Sequence, residues 1–238
     1  MTDPLARYQI GAPIPRVDES VIEAFRAVDS KNGAAVVLEV VRAGATSVEK
    51  ARFGTRARRL ATVEHPSLAG VVDVGPTHCA VESPAGTPLT EHAHLAIDRA
   101  RLKLSWLARL MGALAALHKG GFVHGRVGLD AMIVPEEGPV KLTVHVGSNV
   151  GGSPTDDVRA FGASACRLFL GEDVVGHDER KIGERLVDAG LPGHPSAILA
   201  RVCVGRSTAS ADLAEELAPF VEVSGPSTER LLPVSPRR

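Results

Sequence analysis

The chain has 238 residues, of which 44% are hydrophobic and 23% are charged, so we expect a globular protein with one large domain or two small lobes. The net charge of −1 gives no general reason to expect nucleic acid or an anionic membrane as a partner. The three cysteines lack C-x-x-C spacing, so we expect neither disulfides nor a zinc site, and a cytoplasmic location fits best. The N-terminus is polar and no apolar run approaches the roughly 20 residues of a membrane span, so we expect no membrane insertion.

Residues 1–84 have a strand-like pattern interrupted by one helix. Two apolar stretches within 21–42 flank Lys31-Asn32-Gly33 and predict a hairpin in a small antiparallel sheet. The segment 47–66 predicts a helix that is capped by Ser47 and ends at Pro66. Its expected apolar stripe consists of Val48, Ala51, Phe53, Ala57, Leu60 and Ala61. Strand-like segments follow at 68–75 and 79–84, and the Pro/Gly-rich segment 83–89 predicts a connector.

Residues 85–222 are expected to be mainly helical. A long helix is predicted from about Asp98 to His118, followed by two short strands at 130–134 and 140–146. The periodicity then predicts further helices at 157–170, 178–189, 195–204 and 208–221. The tail 223–238 is rich in Pro and Ser, so we expect it to be flexible.

Five segments, in this order of elements, resemble the bacterial Ser/Thr protein kinases of the eukaryotic type. RFGTRARRLATVEHPSL (52–68) is similar to helix αC and the turn after it, and ALHKGGFVHGRVGLDAMIV (116–134) to the end of helix αE and the catalytic loop. GPVKLTVHVG, DDVRAFGASACRLFLGE and GRSTASADLAEEL are similar to the strand before the metal-binding DFG, to helix αF and to the final helix. The resemblance spans about 8–222 and implies an α+β, two-lobed protein-kinase-like fold with an N-lobe (1–84) and a C-lobe (85–222).

The phosphate-binding positions of the family are changed in this chain. The family covers ATP phosphates with glycines, because a residue without Cβ lets the backbone approach closely. Here those positions hold Val17, Glu19 or Ser20, and Ile22. The family's phosphate-binding Lys corresponds to Glu39 and its αC Glu to Arg56, so the ion pair is inverted. The pair would tie helix to sheet, unless Glu39 and Arg56 are two ordinary surface charges.

The catalytic and metal-binding positions are also changed. In register with His124, the catalytic Asp is replaced by Arg126 and the metal-binding Asn by Ala131. The DFG Asp corresponds to Val144 or His145, and we expect His145 to be a hydrogen-bonded histidine in a buried strand. Only about ten residues lead from Gly147 to the αF Asp, so the activation segment is expected to be short. His124 and Asp157 match positions that hold the catalytic loop on αF in the family.

The resemblance therefore implies a catalytically inactive pseudokinase that acts as a scaffold or regulatory protein-binding subunit in a bacterial complex. We expect no cofactor, no ATP and no metal, and the paired His92 and His94 are expected on the surface rather than in a metal site. A partner or an anion would be bound by Arg126, Arg56, Arg52 and Arg59. The alternatives are a noncanonical nucleotide-binding phosphotransferase or nucleotidyltransferase with an altered cleft, and a pseudokinase with metal-free ATP as a structural ligand.

Overall fold

The computed structural model describes residues 5–15, 21–93, 99–147, 152–174, 178–206 and 209–221. The predicted tail, the glycine-loop positions Val17, Glu19 and Ser20, and His94 lie outside these ranges.

The first part of the chain forms a five-stranded antiparallel sheet of order β1-β2-β3-β5-β4. Its strands are β1 (Tyr8–Ile14), β2 (Ile22–Asp29), β3 (Ala35–Val41), β4 (Val71–Val74) and β5 (His78–Glu82). The predicted hairpin is the β2–β3 pair. Gly33 closes its turn with a φ of 75° and donates its N–H to Asp29 O at 2.7 Å. Such a positive φ strains residues other than glycine.

Helix α1 (Ser47–Leu60) connects β3 to β4 and packs on the sheet. Its N-cap is Thr46, so the prediction of Ser47 as the cap was wrong. The Thr46 hydroxyl accepts the Glu49 N–H, and the Glu49 carboxylate accepts the Thr46 N–H, which forms a capping box. The buried face consists of Phe53, Gly54, Ala57 and Leu60, whereas the predicted stripe residues Val48, Ala51 and Ala61 are exposed.

A second sheet has three strands, β6 (Gly86–Pro88), β7 (Met132–Pro135) and β8 (Lys141–Leu142). β6 lies inside the segment that was predicted to be only a connector. β8 has two residues, so the prediction of a strand over 140–146 was too long. The helices of this part are α2 (Ala100–Lys119), α3 (Pro154–Leu170), α4 (Glu179–Asp188), α5 (Gly193–Cys203) and α6 (Ser210–Leu217).

The main core joins the first sheet, α1 and the helices. It extends from Val41 and Phe53 through Leu107 and Leu110 of α2 to Leu217 of α6, and all of these side chains are buried. Burial of a large aliphatic or aromatic side chain contributes roughly 1.5–3 kcal/mol, so these contacts are the main stabilising force. A smaller cluster covers the opposite face of the first sheet, with Tyr8, Ala27, Val36, Leu38 and Ala80.

These elements confirm the predicted α+β class, with a small antiparallel sheet followed by a mainly helical part. None of the helices in the described ranges has the length and apolar content needed to cross a bilayer.

Candidate functional site

Glu39 lies in the middle of β3 and is fully buried, with 0% of its surface exposed. Leu38 faces the smaller apolar cluster, and because side chains alternate along a strand, Glu39 faces the opposite side of the sheet. Its Oε2 accepts the Gly147 N–H at 3.0 Å, and its Oε1 lies 3.2 Å from His145 Nδ1. Glu39 is therefore no surface charge. It links the first sheet to a loop 106 residues later in the chain.

Arg56 lies on α1 near this carboxylate. Its guanidinium carbon is 5.3 Å from the centre of the Phe122 ring, and that of Arg59 is 5.6 Å from the same ring. Burial lowers the pKa of Arg56, while the negative charge of Glu39 acts in the opposite direction. Arg59 also donates to Gly120 O at 3.2 Å, so both arginines hold α1 against the loop that follows α2.

Asp157, in the first turn of α3, anchors the loop that contains His124. Its Oδ2 accepts the His124 N–H at 2.6 Å and its Oδ1 accepts the Gly125 N–H at 2.8 Å. The ring nitrogen Nε2 of His118 lies 2.9 Å from Oδ2. Burial is the largest single influence and raises the pKa of Asp157, but the bonds from His118, Gly125 and His124 together bring it below its usual value. A buried carboxylate with three donors is therefore stable in its ionised form.

The buried His124 ring has a partner at each nitrogen. Nε2 lies 2.7 Å from the Thr143 carbonyl oxygen, which can only accept, so Nε2 carries the proton. Nδ1 then accepts the Arg126 N–H at 3.2 Å. Burial lowers the pKa of His124, which favours the same neutral ring. His124 and Asp157 together fix the backbone of residues 124–126.

The other predicted site residues lie in or after this loop, in the segment that follows β8 and on α1, and the described contacts do not join them into one cluster. The Arg126 side chain is 67% exposed and lies 3.7 Å from Asp130. Ala131 is partly buried and its carbonyl accepts the Thr143 hydroxyl, while Val144 is buried in the core. Arg52 is exposed on α1. His145 was predicted in a buried strand, but it follows β8 in a loop, with 28% of its side chain exposed.

His92 is a further correction, because it was expected on the surface and is buried. Its Nε2 lies 2.7 Å from Thr87 Oγ1, and its ring packs edge-on against Trp106. Within the described ranges, His, Cys, Asp and Glu form no group of three or more that could hold a metal ion.

The sequence interpretation missed the contacts of two polar residues of α2. His118 was used only to set the register, and its bond to Asp157 bridges 39 residues. Lys103 is buried and donates to Leu168 O at 3.0 Å, at the end of α3. The only sequence signal for either was a polar residue on the apolar face of a long helix.

The chemistry of this site is that of charge pairing and loop anchoring. An arginine cannot act as a base near neutral pH, and a methyl group cannot bind a cation. No protein-family model matches the sequence.

Proposed function

We propose that this chain is a kinase-like protein without phosphotransfer activity that serves as a scaffold or regulatory protein-binding subunit in a bacterial complex. The observation that carries the proposal is the burial of Glu39 and its contacts with the chain's own loop. At the position where the kinases have a phosphate-binding Lys, a fully buried carboxylate accepts the chain's own Gly147 N–H and lies beside His145. A nucleotide phosphate in that place would meet a negative charge at short range in a poorly screened environment.

The order of elements supports a two-lobed kinase-like layout. The sheet β1–β5 with α1 would be the N-lobe, and β6 to α6 would be the C-lobe. About ten residues lead from Gly147 to the anchoring Asp157, which leaves little chain for a substrate-docking activation segment. The retained His124–Asp157 bond explains why such a frame would persist without catalysis, because it holds the loop in place.

The exposed cations suggest where a partner would bind. Arg126 is largely exposed on an anchored backbone, and Arg52 and Arg58 are exposed on α1. A guanidinium held by a fixed backbone is suited to a carboxylate or phosphate group on the partner, because its planar fork can donate two parallel hydrogen bonds. Arg56 and Arg59 are turned towards Phe122 and would instead shape the surface.

Thermal unfolding with and without ATP tests the proposal. The purified chain would be measured alone, with about 1 mM ATP, and with ATP plus Mg²⁺ or Mn²⁺. A ligand at 100 times its dissociation constant adds about 2.7 kcal/mol, which raises the unfolding midpoint by several degrees in a chain of this size. We expect no rise, and no transfer of labelled phosphate to the chain or to a generic substrate.

A clear rise would overturn the nucleotide-free part of the proposal and favour the nucleotide-binding alternatives. The variant Arg126→Asp then separates them. Phosphotransfer that appears only in this variant would show that a cleft able to bind nucleotide lacks nothing but the base. Phosphotransfer by the unmodified chain would refute the proposal entirely.

A further inference from the structure

A serine, a histidine and an aspartate form one hydrogen-bonded row across three helices. Ser210 is the first residue of α6, His118 lies in the last turn of α2, and Asp157 lies in the first turn of α3. Ser210 Oγ is 2.8 Å from His118 Nδ1, and His118 Nε2 is 2.9 Å from Asp157 Oδ2. These separations suit direct hydrogen bonds between a nucleophile, a base and the group that orients the base.

The protons in this row can be assigned from the acceptors. Asp157 receives N–H groups from His124 and Gly125 and is stable as a carboxylate, so it can only accept from His118. His118 Nε2 therefore carries its proton, and in a neutral ring Nδ1 then has the free lone pair. In that neutral ring the Ser210 hydroxyl donates to Nδ1. This is the arrangement in which a histidine removes the proton of an attacking serine.

An open cavity of about 530 Å³ lies beside Ser210 and His118. Its other lining residues are small or end in a flexible cation: Ala115, Ala116, Lys119, Pro154, Ala209 and Ala211. Helix α6 has no side-chain cap at its start, and the first N–H groups of a helix have no partner within it. Those groups are neighbours of Ser210 in the chain and could donate to a negatively charged oxygen.

We propose that Ser210 is a nucleophile, activated by His118 and oriented through Asp157, that reacts with small acyl esters in this cavity. Ser210 Oγ forms a bond to the carbonyl carbon as its proton moves to His118 Nδ1. The bond to the ester oxygen breaks, and the leaving alcohol takes that proton. Water then attacks the acyl-serine in the same way and releases the carboxylic acid and the free hydroxyl.

This activity is separate from the proposed scaffold function. It uses none of the residues Glu39, Arg56 and Arg126, and it needs no nucleotide. Ser196 provides the contrast within the same chain. It is also buried in the first turn of a helix, but its hydroxyl donates to the Pro192 carbonyl of its own helix start, at 2.9 Å. A carbonyl cannot take up the hydroxyl proton, so Ser196 is the matched control.

The test uses the full chain, a fluorophosphonate reagent and p-nitrophenyl acetate. We expect the fluorophosphonate to modify Ser210, identified by peptide mass mapping, and to leave Ser196 unmodified. His118→Gln should lower the rates of labelling and of ester hydrolysis by at least about 100-fold, since a positioned base contributes 10²–10⁴. Ser210→Ala should abolish labelling, and Ser196→Ala should retain both activities.

The labelling of the unmodified chain tests whether Ser210 is a nucleophile even if a variant fails to fold. Absence of an adduct at Ser210 under conditions that modify a known serine esterase would overturn the proposal. An adduct that forms equally fast in a folded His118→Gln chain would also overturn it, because the row would then be a passive link between helices. Neither result depends on whether ATP binds.

Discussion

At the scale of single residues, Glu39 determines how the loop after β8 meets the first sheet. Taking a carboxylate out of water costs several kcal/mol, and the fold recovers this only through well-placed partners. Glu39 has the Gly147 N–H and the His145 ring within 3.2 Å, and the charge of Arg56 nearby. Two of these partners lie in the loop after β8 and the third lies on α1, so the carboxylate stabilises the contact between the first sheet and that loop.

A double-mutant cycle on Glu39 and His145 measures this contact. Glu39→Gln removes the negative charge at constant size, and His145→Gln removes the imidazole. We expect a coupling free energy of about 1–3 kcal/mol at pH 7, because a hydrogen bond to a buried charged group contributes in that range. The measurement is the urea-induced unfolding of the parent chain, both single variants and the double variant.

The pair Glu82 and Lys141 is the control for this cycle. Its atoms are also 3.2 Å apart, but both side chains are partly exposed. Partly exposed ion pairs contribute about 0–1 kcal/mol, so the coupling between Glu82→Gln and Lys141→Gln should be smaller. Equal coupling in both cycles would mean that the burial of Glu39 does not strengthen its contact.

The sequence predicted some of these residues and their pairing, and missed other partners. Local apolar patterns predicted the strand that contains Glu39 and the helix that contains Asp157, and the resemblance to the kinases supplied the register. The Glu39–His145 and His118–Asp157 contacts join residues 106 and 39 positions apart, and no local pattern encodes them. The prediction of Ser47 as the α1 cap was a local error. Thr46-Ser47-Val48-Glu49 has the spacing of a capping box, which identifies Thr46 as the cap.

At the scale of elements, two helical glycines differ in the space that a Cβ atom would have. A Cβ on Gly162 of α3 would lie 2.7 Å from Val202 Cγ1 and 2.8 Å from Cys203 N on α5. A Cβ on Gly183 of α4 would meet only the Ala200 Cβ, at 3.8 Å. The added Cβ at position 162 would force α3 and α5 apart, whereas the one at position 183 would make an ordinary van der Waals contact.

Substitution of each glycine by alanine should therefore change stability in opposite directions. Gly162→Ala should lower the free energy of unfolding by about 1–3 kcal/mol or more, as overpacking against a backbone does. Gly183→Ala should raise it by about 0.4–1 kcal/mol, because alanine loses less backbone entropy in a helix. Chemical denaturation of both variants checks the signs, and a Gly162→Ala variant at least as stable as the parent would contradict the described α3–α5 packing.

The elements that the sequence predicted best were those with a long periodic pattern. The helices α2, α3, α4 and α5 were expected within a few residues of their observed ends, and the β2–β3 hairpin was expected from its turn. β6 was missed because three residues with a Gly and a Pro have no pattern of their own and become a strand only by pairing with β7. The strand predicted over 140–146 was too long because Val144 and Val146 extend the apolar pattern. Both are buried in the core, but in the described structure they lie outside the strand β8.

At the scale of the whole molecule, buried histidines couple stability to pH. Burial lowers the pKa of His65, His92 and His124 in the folded chain from an ordinary value of 6.5. The folded state therefore resists the proton that the unfolded state binds near pH 6.5. The stabilising contribution of these neutral rings is fully present above pH 6.5 and is lost progressively as the pH falls below it.

His124 isolates this effect, because it is the most buried of the three and its neutral form makes both of its hydrogen bonds. We expect the free energy of unfolding of the parent chain to decrease between pH 7.5 and pH 5.5, and to decrease less in His124→Gln. One histidine that is protonated only in the unfolded state adds a slope of up to about 1.4 kcal/mol per pH unit. Urea unfolding at three pH values measures both slopes, and the substitution His194→Gln at an exposed position is the control. Equal slopes in the parent and in His124→Gln would show that His124 takes up its proton as readily in the folded chain as in the unfolded one, and that the loop held by Asp157 does not need a neutral ring.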